Sequence, residues 1–156
     1  VLAREAPTLI LAPHAHDAQS THVGTHLLLL DALAQLPPTY TPQIAWTEYW
    51  STMETPNLMV ELSAQHVSQL VSGLYCHAGE IARNPYHATL PLWMMESVRR
   101  GSERVGPPGG IAADFDFATL YTLAQWDGTR ALPIPGPGRV VSLQASVHAA
   151  TVAPAV

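Results

Sequence analysis

Thr8-Leu-Ile-Leu-Ala12 is a short apolar run without alternation, which predicts a strand buried on both faces, as in a parallel sheet. A polar stretch follows, Pro13-His-Ala-His-Asp-Ala-Gln-Ser20. Thr21 to Leu36 then reads as a helix, with Ser20 as its N-cap and Pro37-Pro38 as its stop. Ile44 to Trp50 and Leu58 to Leu62 read as two more strands. Ser63 to Arg83 carries the strongest helical signal, because Val67, Leu70, Val71, Leu74 and Ile81 form an i, i+3, i+4 stripe. A further helix is expected from about Thr89 to Val105, ended by Gly106-Pro-Pro-Gly-Gly110, and a strand from Ala112 to Phe117. Such alternation predicts an α/β fold: a Rossmann-like, mainly parallel sheet flanked by helices. The domain is expected to span residues 1–126. Residues 127–156 are rich in Pro, Gly and Ala and read as a loosely packed tail, with one strand at Val140 to Leu143.

Composition sharpens this picture. Hydrophobic residues make up 47% of the 156, and charged residues only 12%, against about 25% in an ordinary soluble domain. Too little charge is present to cover a domain in the usual way. A partner segment or a homo-oligomer covering an apolar face is therefore expected, and the sheet is expected to be incomplete within this chain. The formal net charge is -5, and the positive charge rests on scattered Arg without any Lys. No basic stripe results, which excludes nucleic acid as the expected partner. The apolar run Leu27 to Leu30 stops at Asp31, so no membrane span is expected. The single Cys76 rules out an internal disulfide framework. The expected compartment is the cytoplasm.

His14, His16, His22 and His26 follow the first strand and open the first long helix. Ligands of open α/β sheets bind at strand carboxyl ends, and imidazole is the commonest metal ligand. His22 and His26, four apart, share a helical face as the paired His of zinc proteases do. The plainer reading is a set of solvated loop and first-turn residues. Trp46, Tyr49 and Trp50 crowd a strand end, where they either stack on a sugar ring or pack in the core. Glu48 stands between two Trp and is either functional or at a sheet edge. His77 and Glu80 fit a structural hydrogen bond on one helical face. Cys76 and His77 are adjacent, so a helix turns them apart and no nucleophile pair is expected. Arg99-Arg100 reads as a solvated face.

Glu5 to His14, His22 and Asp31-Ala-Leu33 resemble the second motif region of PIG-L/LmbE-type N-acetylglucosaminyl deacetylases. In that family a strand and a Pro-rich turn lead to His-Pro-Asp-His at a helix start. Glu48-Tyr-Trp50, Thr55-Pro-Asn57, Val60-Glu-Leu-Ser63 and Cys76-His77 are similar to its second half in order and spacing. Ala112-Ala-Asp-Phe115 looks like its closing Ala-Glu-Ala-Phe strand. The resemblance covers about residues 4–117.

The resemblance implies a zinc-dependent hydrolase that removes an acyl group from an N-acyl amino sugar or related conjugate. The family holds one zinc with a His and an Asp of an N-terminal His-Pro-Asp-Asp motif and the last His of the second motif. His22 matches that last position and is the expected zinc ligand. The acid-base His of the family is Gln19 here, and the motif's Asp is Thr21. Gln19 can donate to an oxyanion but cannot shuttle a proton. Asp17 and Gln19 are the expected catalytic residues, and His14, His16, Tyr49 and Trp50 the expected substrate contacts. The sequence contains no His-Pro-Asp-Asp motif; an alternative alignment places His14-Ala-His-Asp17 there. A hydratase or lyase on the same scaffold, or a non-catalytic binding subunit, are the competing functions.

Overall fold

In the computed structural model, residues 1–107 and 109–144 are described. The last part of the expected tail, residues 145–156, lies outside them. The elements in chain order are α1 Leu2–Glu5, β1 Leu9–Pro13, α2 Ser20–Ala34, β2 Gln43–Thr47, β3 Leu58–Leu62, α3 Ala64–Tyr75, α4 Ala78–Arg83, α5 Tyr86–Arg104, β4 Phe117–Trp126, β5 Ala131–Pro133 and β6 Arg139–Val141. The fold is mixed α/β. Its six-stranded sheet has the order β1-β2-β4-β3-β6, with β5 on β4.

β1, α2 and β2 form the expected parallel crossover, with Ile10 opposite Ile44 and Ala12 opposite Trp46. β3 and β6 are also parallel. β4, however, runs antiparallel to β2, Leu123 facing Ala45, and β5 returns antiparallel on β4. The sheet is therefore mixed, not the mainly parallel one expected. The cause lies in a strand the sequence reading passed over. Phe117–Trp126 is rich in Thr, Tyr and Leu, and largely alternates between buried and half-buried positions. Residues 111–116, where a strand was expected, form a loop instead. There the Ala113 amide donates to Ser102 Oγ at 3.1 Å. After β4 the chain turns at Asp127. Its carboxylate accepts from the Thr129 hydroxyl and from the Arg130 and Thr129 amides, which pulls its pKa down to about 2.

Two corrections concern position. β1 is an end strand, not a central one. Ile10 and Ala12 pack into the core, but Leu11 points to the other face and is 59% exposed. Strand alternation forces this split. The single helix expected over 63–83 is two. Ser63 caps α3, its Oγ accepting from the His66 amide while His66 Nδ1 accepts from the Ser63 amide. α3 ends at Tyr75, and His77 leaves helical geometry with φ -103° and ψ 62°. Four residues past Leu74 the stripe meets the small Ala78, the first residue of α4. Glu80 then pairs with Arg83.

The chain divides into two compact units. The first comprises Val1–Asn57 and Tyr121–Gly136. Its core joins Ala12, Leu33, Ile44, Trp46, Met53, Ala124 and Trp126, with Leu29 and Leu30 of α2 packed against them. Leu27 and Leu28 on the other sides of α2 remain exposed. The second comprises Leu58–Leu120 and, among the described residues, 137–144. Its core is Met59, Val105, Ala118 and Leu120. On α5, Arg99 and Arg100 share Glu96, but only Arg99 is solvated; the Arg100 side chain is 14% exposed. Among the described residues no helix is long and apolar enough to cross a membrane.

One glycine in the second unit is fixed by a close approach. A Cβ at Gly138 would lie 2.7 Å from the Val105 carbonyl carbon and nearer still to its oxygen. Backbone cannot give way as a side-chain tip does. Gly138→Ala is expected to cost about 1–3 kcal/mol and to lower the melting temperature by about 3 °C or more. Thermal denaturation followed by circular dichroism checks this; an unchanged midpoint would contradict the packing described.

Candidate functional site

β1 ends at Pro13, and residues 14–19 carry the chain to the start of α2. The N-cap of α2 is Gln19, one residue before the expected Ser20, and its side chain makes no capping bond. Asp17 organises the turn instead. Its Oδ1 accepts from the Gln19 amide at 2.9 Å, an Asx arrangement typical of turns. Its Oδ2 accepts from the Trp50 amide at 3.2 Å and lies 3.3 Å from His22 Nδ1. The Asp17 side chain is 0% exposed. Burial alone would raise its pKa, but the Gln19 and Trp50 amides and the His22 ring outweigh it and hold the carboxyl below its ordinary value.

His22 sits on the first turn of α2, its side chain 25% exposed. Its Nδ1 is buried without a well-formed hydrogen bond; Asp17 Oδ2 is the neighbouring acceptor, and 3.3 Å is long beside the roughly 2.7–2.9 Å of a strong charge-assisted bond. Nε2 lies on the far side of the ring from Asp17. Tyr49 packs edge-on against His22, with centroids 5.2 Å apart at 80°. Tyr49 and Trp50 are 67% and 44% exposed in the loop after β2. Trp46 takes the core alternative, 8% exposed and in the unit's hydrophobic cluster.

The same two loops are stitched beneath the pair. His14, itself buried, has Nε2 3.0 Å from the Ser51 carbonyl oxygen. Ser51 Oγ donates to the His16 carbonyl oxygen. Glu48 Oε1 accepts from the Met53 amide at 2.6 Å and closes the second loop. The His16 and Gln19 side chains are exposed at the rim. The structure thus brings together Asp17, His22, Tyr49 and the Trp50 backbone, with His14 and Ser51 behind them. Sequence reasoning missed Ser51 and the Trp50 amide. Neither belongs to a spaced motif, and each meets its partner across more than thirty positions.

His26 lies one turn further on. Its Nδ1 is 3.0 Å from the Pro13 carbonyl oxygen, and its ring tilts on Trp46 with centroids 4.4 Å apart. It pins α2 to the end of β1. Burial lowers its pKa, outweighing the Pro13 bond, and His14 and His16 lower it further. Because the folded-state value lies below 6.5, the value of the free group, the unfolded chain binds the proton more readily. The His26 contribution is complete above pH 6.5 and is lost as pH falls from there through the folded-state value. Melting temperature should fall on acidification over that window, and His26→Gln should flatten the fall. A His26→Gln profile parallel to the wild type would exclude this cause.

Catalytic zinc sites use three protein ligands and an open position. Among the described residues no three His, Cys, Asp or Glu are grouped to hold a metal. The donors explain why: both Asp17 oxygens accept from amides, His14 Nε2 meets a carbonyl, and His26 Nδ1 meets another. The residues present fit one ligand position, His22 Nε2 backed by a carboxylate, and not a complete zinc site. No family model, no curated protein and no solved structure matches this chain.

Proposed function

We propose that this chain carries the His22-centred part of an amide-hydrolase site that acts on an N-acyl amino sugar or related conjugate. The observation that carries the reading is the buried Asp17 carboxylate set behind His22. It lies at the carboxyl end of β1 in a parallel β1–α2–β2 crossover, where α/β sheets bind ligands. That crossover is also what supports a Rossmann-like reading of this part of the sheet. His22 Nε2, turned away from Asp17, accepts a proton or serves as a ligand. Gln19 donates a hydrogen bond to the developing oxyanion. Tyr49 and Trp50 offer apolar faces to a sugar ring, and the exposed His16 adds a polar contact. His14 serves the substrate indirectly, by holding the loop that bears those aromatics.

Zinc, when bound, would supply a Lewis acid and a water of pKa near 7, and His22 Nε2 is the one ligand position that these residues offer it. The exposed Leu11, Leu27 and Leu28 around the end strand suit a further segment or a second copy. Amine release from N-acetylglucosamine conjugates, measured on the protein expressed from its complete reading frame with and without zinc, tests the proposal. Zinc-dependent release is expected. Sugar binding without release in either condition would replace the hydrolase by a non-catalytic binding subunit.

A further inference from the structure

We infer that Asp17 is a positioning residue that fixes the tautomer of His22, placing the proton on Nδ1 and leaving the Nε2 lone pair free to act. The inference deepens the proposed function, since it rests on His22 as the acting group.

A neutral imidazole carries one N–H, and the opposite nitrogen is then an acceptor. Which nitrogen holds the proton is set by what faces it. An ionised carboxylate only accepts, so the nitrogen 3.3 Å from Asp17 Oδ2 is the one that must carry hydrogen. The carboxylate cannot turn away. It is 0% exposed, and amides at 2.9 and 3.2 Å hold its two oxygens separately. The ring is restrained as well, because Tyr49 stands edge-on to it. The Trp50 amide that grips Asp17 follows Tyr49 directly in the chain. One buried carboxylate therefore sets both the proton on His22 and the place of its aromatic neighbour. Carboxylates behind metal-binding or basic histidines act in this way, orienting the ring and raising its basicity.

The test reads the tautomer, not the activity. Metal-free protein with 15N-labelled histidine is examined at about pH 8, where an ordinary histidine is neutral, by two-bond 1H–15N correlation. His22 is expected as Nδ1–H, in about tenfold excess over Nε2–H, because an N–H at this position faces the carboxylate 3.3 Å away, whereas a bare Nδ1 lone pair would be repelled by it. Asp17→Ala is expected to abolish that excess, and Asp17→Asn, whose amide can donate to Nδ1, to move the proton to Nε2. His22 found as Nε2–H or as an even mixture in the wild type overturns the inference, and that measurement needs no variant to fold. An Nδ1–H excess that survives in folded Asp17→Ala overturns it too. Hydrolysis without the Nδ1–H form would remove this inference alone. The Nδ1–H form without hydrolysis would remove only the hydrolase reading.

Discussion

On the proposed function, His22→Ala is expected to lower kcat/KM for an N-acyl amino sugar by about 10²–10⁴-fold, the usual contribution of a positioned acid-base group. The substitution removes the ring that Asp17 backs, and the two buried histidines are engaged elsewhere. His14 Nε2 faces the Ser51 carbonyl, and His26 Nδ1 faces that of Pro13. Zinc affinity should fall with activity, because a catalytic zinc needs three protein ligands. The fold should survive, since the His22 side chain is already 25% exposed and fills no part of the hydrophobic cluster. Near-UV circular dichroism establishes that, and amine release with zinc competition gives the effect. One tightly held zinc per chain, retained by His22→Ala, would show that other residues hold the metal and that His22 does not match the family's ligand position.

Ile44→Ala is expected to destabilise the protein by about 2–5 kcal/mol, the range for truncating a buried Ile. Ile44 is 0% exposed. It pairs with Ile10 on β1 and with Ala124 on β4, in the cluster that holds Leu33, Trp46 and Trp126. Neighbours on both strands are tied by backbone hydrogen bonds, so the cavity cannot close by a simple side-chain shift. β2 also leads into the loop of Tyr49 and Trp50, and loosening it should weaken the Trp50 grip on Asp17. Urea denaturation measures the loss, with a melting temperature lower by about 5–15 °C as the thermal counterpart. A change below about 1 kcal/mol would mean that this strand is not the centre of the unit's core.

Parts of the fold are legible from the chain because their signals are local. Leu9–Leu11 is an apolar run closed by Pro13, and β1 stands there. Pro37-Pro38 stops the helix pattern, and α2 ends shortly before it. β3 occupies Leu58–Leu62 as the pattern predicts. Other signals mislead. Ala112 to Phe117 looked like a strand, yet the pairing strand begins at Phe117, where Thr and Tyr interleave with Leu. Such alternation shows that a segment can pair; it says nothing of which strand it joins or in which direction. The antiparallel seat of β4 beside β2 comes from contacts between residues about eighty positions apart.

The site divides along the same line. That His14, Asp17, Gln19 and His22 gather past the first strand follows from their neighbourhood in the chain, whatever the fold. That Asp17 becomes a buried anchor does not. A carboxylate so placed would ordinarily stay solvated; it is tolerated only because the Trp50 amide, thirty-three residues on, arrives at 3.2 Å and helps repay the loss of water. The pairing of β1 with β2 brings that amide into place, Pro13 beside Thr47. Neighbours in sequence are held together by the covalent chain, and so a pattern can reveal them. Partners across a sheet meet only when strand order and register are settled, and the packing of the whole unit decides both.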